Sequence, residues 1–124
     1  MKKVLIIDDD ADFSASVRAL LEHSGYQVMR AADGDEGVVL AASEKPDVIL
    51  CDIMMKERTE GFFTIQRLRR TEGVEDTPIL VVSSVYEALP FFTAPPERSW
   101  LNHDAFMRKP VNPEALLQMV EAAT

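Results

Sequence analysis

A single cysteine among 124 residues leaves no partner for a disulfide within the chain and suits a reducing, cytoplasmic setting. No apolar run approaches the roughly 20 residues of a membrane-spanning helix. The opening Met1-Lys2-Lys3-Val4-Leu5-Ile6-Ile7 is basic and then apolar, but Asp8, Asp9 and Asp10 end it too early for a signal peptide, and no small-residue cleavage site follows. Internal repeats, low-complexity tracts and linkers are missing too. Lys and Arg number 13 against 21 Asp and Glu, a formal charge of −8, and such an acidic balance argues against direct contact with nucleic acid. What remains is 47% hydrophobic and 27% charged, at a length that fits one globular domain over residues 1–124.

Short runs rich in Val and Ile alternate with segments of helical period. Val4 to Ile7 reads as a buried strand, continuous in apolar residues and ended by acids. Phe13, Val17, Leu20 and Leu21 then recur on one face of a helix, which Gly25 is placed to stop. Tyr26 to Ala31 is a weaker strand and Gly34 to Ser43 a helix, broken by Pro46. Val48 to Cys51 makes the third strand, residues 61–71 a helix carrying Phe62, Ile65 and Leu68, and Ile79 to Val82 the fourth strand. Ser84 to His103 is the least regular stretch: Pro90, Pro95 and Pro96 exclude one continuous helix, so a long loop and a short helix from Pro95 or Pro96 to about Leu101 are expected. Asp104 to Arg108 would be the fifth strand. Asn112-Pro113-Glu114 then opens the last helix with an N-cap and a proline at its first position, and Leu116, Leu117 and Val120 face the core. Strands alternating with helices predict a doubly wound α/β fold, with five parallel strands in the flavodoxin-like order 2-1-3-4-5 and five flanking helices.

In such a sheet, chemistry gathers beyond the carboxyl ends of the strands, where strand order reverses. Asp8 and Asp9 follow the first strand, Asp52 the third, Ser83 the fourth and Lys109 the fifth. Taken singly, Asp8 has an ordinary explanation as a helix cap, Asp52 as a turn residue and Lys109 as a solvated charge. Their shared placement on one edge is what those explanations leave unaccounted for. Three carboxylates together repel one another, and a hard divalent cation relieves the strain; Mg2+ takes oxygen ligands and bridges to phosphate oxygens. Asp10 and Asp12 read as solvated or capping residues, Cys51 as core, and His23 and His103 as surface.

Together, VLIIDDD (4–10), PDVILCD (46–52), TPILVVSS (77–84), DAFMRKP (104–110) and the closing helix resemble the response-regulator receiver domain of two-component signalling, over essentially the whole chain. The resemblance implies that Asp52 is the phosphoacceptor. It also implies that Asp8, Asp9, Asp52 and the backbone carbonyl of Met54 hold Mg2+, with Mn2+ able to substitute. Ser83, Ser84 and Lys109 would receive the phosphate, and Phe106 would be the aromatic residue that turns inward with Ser83. The implied partners are a histidine kinase or histidine phosphotransfer protein and a downstream protein target. Neither nucleic acid nor membrane is among them, and the state is a monomer or a weak phosphorylation-dependent dimer. A switch rather than an enzyme is implied. With no output domain after the last helix it would stand alone, although a receiver cut from a larger regulator fits as well.

The chain departs from the family pattern after Asp52. Lys56 replaces the usual proline, and the turn to Gly61 is about one residue longer, making that rim more charged. Ser83 to Lys109 is about four residues longer than in typical relatives and carries Phe91, Phe92 and Trp100. These rings either tuck beneath the loop as a satellite cluster or form a partner surface, and replacing all three with Ala separates loss of folding from loss of binding. Met54 and Val85, two residues beyond Asp52 and Ser83, cannot orient a hydrolytic water, so slow self-dephosphorylation is expected. Two other functions compete: a receiver-like docking module independent of phosphorylation, and a haloacid-dehalogenase-like phosphatase with Asp8 as nucleophile. The phosphatase reading fits less well, because Asp10 is followed by Ala11-Asp12 and no downstream acidic pair or substrate cap is present.

Overall fold

The computed structural model describes residues 2–52, 60–83, 105–108 and 111–124. In chain order the elements are β1 (Lys3–Ile7), α1 (Ala11–His23), β2 (Gln27–Ala31), α2 (Gly34–Glu44), β3 (Val48–Cys51), α3 (Glu60–Arg69), β4 (Ile79–Ser83), β5 (Ala105–Arg108) and α4 (Pro113–Ala123). The strands form one parallel sheet in the order β2-β1-β3-β4-β5, the arrangement expected from the sequence. Four helices lie among the described residues, while the expected short helix near 95–101 falls outside them.

The central strands β1, β3 and β4 carry the unbroken apolar runs Val4–Ile7, Val48–Cys51 and Ile79–Val82 because both sheet faces are covered there. Side chains alternate across a strand, so each run divides between two cores. Leu5, Ile7, Ile49, Cys51, Ile79 and Val81 face α2 and α3, joining Ala41, Ile65 and Leu68. Val4, Ile6, Val48, Leu50 and Leu80 face α1 and α4, joining Val17, Leu21, Leu116 and Val120. Of the last helix's expected core residues, Leu116 and Val120 are fully buried and Leu117 partly so.

Local chemistry sets the helix ends. Asp10 caps α1, its carboxylate accepting from the Phe13 N–H at 3.0 Å, and Asn112 caps α4 through the N–H groups of Glu114 and Ala115. At the end of α1, Gly25 has φ +96, its N–H donates to the Glu22 carbonyl, and the Tyr26 N–H donates to the Leu21 carbonyl. This is a Schellman closure. It explains why Tyr26, expected in the second strand, lies outside it: its N–H is spent on the helix cap. Arg70 and Thr71, expected in the third helix, instead lie in tight turns closed onto the carbonyls of Arg67 and Leu68.

Helix α2 lies directly on the end of β1. A Cβ built on Gly37 would stand 2.6 Å from Ile7 Cδ1 and 2.8 Å from Ile7 Cγ1, closer than any side chain tolerates. Glycine is what permits this approach, one residue before the first strand-end acid.

Candidate functional site

Register delivers the acids to one place. Ile7 lies opposite Cys51 across the β1–β3 pair, so Asp8 and Asp52 leave the sheet side by side. Both are anchored by extensions of the ladder. The Asp52 N–H donates to the Ile7 carbonyl at 2.9 Å, and the Asp8 N–H donates to the Ala31 carbonyl at 3.0 Å. Asp8 is 2% exposed and Asp52 5%, while Asp9, on the turn into α1, is the most open of the three. One carboxylate oxygen from each of Asp8, Asp9 and Asp52 lies within 4.8 Å of the others.

The consecutive acids Asp8, Asp9 and Asp10 divide their work. Asp10 turns away to cap α1, while its N–H donates to Asp8 Oδ1 at 2.8 Å and fixes that carboxylate. The cap is therefore Asp10, and Asp8 is left to the cleft. Asp12 is exposed in the first turn of α1, where a carboxylate complements the helix dipole. Cys51 is fully buried, in keeping with a core role, and His23 is exposed.

The donor set suits a hard divalent cation. Oxygen ligands at 2.0–2.1 Å from Mg2+ stand about 3 Å apart when adjacent and about 4 Å apart when opposite. Three carboxylate oxygens already within 4.8 Å need only small side-chain rotations, or one bridging water, to reach that spacing. Nearly buried like charges with no cation between them are costly, which makes the same cluster a poor purely structural feature.

Ser83 is the last residue of β4, and Phe106 lies in β5 opposite Val81, so the backbone brings both strands to the sheet position expected for them. Met54, Ser84, Phe91, Phe92, Trp100 and Lys109 lie outside the described residues.

One residue beside the acids escaped the sequence reading. Arg30, next to last in β2, donates from Nη2 to the Asp8 backbone carbonyl at 3.0 Å. Applying the strand-end rule to β2 as well as to the other four strands would have found it. Its strand is a weak one in the sequence, and an isolated Arg in a strand carries no motif.

A doubly wound parallel sheet with an acidic cleft at the reversal of strand order defines a class of phosphoryl- and nucleotide-handling α/β domains. Within that class the chain belongs to the response regulator receiver domain family, whose model matches residues 4–121. It is 31% identical to Protein PilH of Pseudomonas aeruginosa, covering 98% of this chain and 97% of PilH. It is 35% identical to the DNA-binding dual master transcriptional regulator RpaA of Synechocystis, and there it spans 48% of the relative's length. The chemotaxis response regulator CheY4 of Vibrio cholerae superposes with a TM-score of 0.84 at 31% identity, over 100% of this chain and 99% of that one. The chain is thus a receiver domain of two-component signalling, of the kind found in PilH and CheY4.

Proposed function

We propose that this receiver domain is a phosphorylation-controlled switch with Asp52 as phosphoacceptor. The donor is a phosphohistidine on a histidine kinase or histidine phosphotransfer protein. A carboxylate oxygen of Asp52 forms the new bond to phosphorus as the phosphorus–nitrogen bond breaks, and the electron pair leaves with the imidazole. The low exposure of Asp52 beside Asp8 and Asp9 at the strand ends is the observation that supports this reading most directly.

Asp8, Asp9 and Asp52 would hold Mg2+ together with the Met54 carbonyl. The ion supplies positive charge where the transferring phosphoryl oxygens gather negative charge. Asp10, by holding Asp8 Oδ1, keeps that carboxylate turned toward the cleft before the donor arrives. The family resemblance gives Ser83, Ser84 and Lys109 to the phosphate and Phe106 to the switch. The output is a changed protein-binding surface rather than turnover of a separate substrate, which makes the protein a switch and not an enzyme. A cytoplasmic setting and a partner protein as target accompany this reading. No helix among the described residues is long and apolar enough to cross a membrane.

The test is treatment with acetyl phosphate and Mg2+ followed by intact-mass and peptide mass spectrometry. Wild type should gain one phosphoryl group mapped to Asp52, and Asp52→Ala should gain none. A label on Asp8 would instead identify a phosphatase-like mechanism, and no label on any residue would favour docking without phosphorylation.

A further inference from the structure

Arg30 is an unusual cation. It is half-buried, its Nε is buried with no hydrogen-bond partner, and no carboxylate lies within ion-pair distance of it among the described residues. A guanidinium removed from water ordinarily pairs with an acid, since desolvation is otherwise uncompensated. Three acids lie close by at the ends of β1 and β3, yet Arg30 contacts none of their carboxylates. Its hydrogen bond goes to the backbone carbonyl of Asp8.

That carbonyl belongs to the peptide unit joining Asp8 to Asp9. The same strand end takes the other side of Asp8, because the Asp8 N–H donates to the Ala31 carbonyl. Residues 30 and 31 therefore hold Asp8 at both its N–H and its C=O, and the Asp10 N–H holds its side chain. A rotation of the Asp8–Asp9 peptide would swing the Asp9 carboxylate away from Asp8 and Asp52, and Asp9 stands on a turn with no ladder of its own.

We infer that Arg30 is a positioning residue of the cation site: its guanidinium locks the Asp8–Asp9 peptide plane so that both carboxylates face Asp52. The inference rests on the proposed Mg2+ role of those acids. It separates sharply from the alternative of a bystander charge. A nearby cation that did nothing but repel would weaken Mg2+ binding, so its removal would tighten binding. A cation that fixes ligand geometry strengthens binding, and its loss weakens it, as when partners that orient metal ligands are removed.

The experiment compares wild type with Arg30→Met and Arg30→Gln by calorimetric titration with MgCl2. Thermal midpoints and hydrogen exchange of the Asp10 amide are measured without metal. Arg30→Met should weaken Mg2+ binding roughly 10-fold, the usual scale for losing such a partner. It should also speed exchange of the Asp10 amide, whose acceptor is Asp8 Oδ1. Arg30→Gln, which keeps a donor and loses the charge, should recover most of the affinity. Unchanged or tighter binding in Arg30→Met overturns the inference. If Arg30→Met does not fold, Arg30→Leu takes its place by the same criteria: weaker binding supports positioning, and unchanged or tighter binding overturns it. A wild type that takes no Mg2+ refutes the proposed function instead, and the Asp10 exchange rate then judges Arg30 by itself.

Discussion

The Asp52 N–H reaches the carbonyl of Ile7 at 2.9 Å, one rung beyond the last paired residues of β1 and β3. The third acid of the cleft is thereby tied to the residue immediately before the first. Its position is a consequence of strand pairing rather than of loop conformation, so the acids should already be gathered before any cation or phosphodonor binds.

Gathered acids repel. Asp9→Asn should raise the thermal midpoint measured in chelator by about 3–6 °C, corresponding to roughly 1 kcal/mol of relieved repulsion in a domain of this size. Added Mg2+ should stabilise wild type and have much less effect on the variant, as binding linkage requires. Parallel thermal melts with and without MgCl2 check both halves.

Asp10 should behave differently from its neighbours. Asp10→Ala removes the side-chain acceptor for the Phe13 N–H and should cost about 1 kcal/mol in urea unfolding, the usual scale for an N-cap. Its backbone N–H still reaches Asp8, so Mg2+ affinity should stay close to wild type. Equal loss of affinity in Asp10→Ala and Asp9→Asn would contradict this division of labour.

Gly37→Ala tests the seat of α2. Alanine favours a helix over glycine by about 1 kcal/mol, but its methyl would press on Ile7, which is fully buried and stiff at χ1. Overpacking costs about 1–3 kcal/mol, so the net effect should be a loss of roughly 1 kcal/mol. Denaturant midpoints decide; a net gain would mean that Ile7 yields without cost.

The lifetime of phosphorylated Asp52 forms a separate prediction. Met54 and Val85 offer no side-chain hydrogen bond to orient a hydrolytic water, so phosphate should leave the purified protein slowly. Met54→Asn should hasten that loss, followed by the decay of labelled protein after the donor is removed.

The sheet and three of its acids were legible in the sequence for a physical reason. A strand covered on both faces must be apolar throughout, so its end is marked by the first charge, and Asp8 and Asp52 each stand at such an edge. The parallel sheet follows from the alternation of strands and helices, and its order from the flavodoxin-like arrangement that such sheets adopt. Finer features depend on where single hydrogen bonds go. Tyr26 reads as part of β2 because aromatic residues favour strands, whereas its N–H closes α1. Asp10 and Asp8 are chemically identical as letters, and only the direction of the chain after Ile7 assigns one to the helix and the other to the cleft. Arg30 is marked only by its place near the end of β2, because its partner is a backbone carbonyl, which no side-chain pattern records.

The even division of β1 between two cores has a consequence for how the molecule can fail. Slipping that strand by a single residue against its neighbours would send Leu5 and Ile7 toward α1 and α4, and Val4 and Ile6 toward α2 and α3. Ile7 would lose its seat beneath Gly37 at the same time. A misaligned chain would keep apolar residues on both faces but mispack them and draw Lys3 or Asp8 into the covered part of the sheet, so the one register that fills both cores is also the one that assembles the acidic pocket.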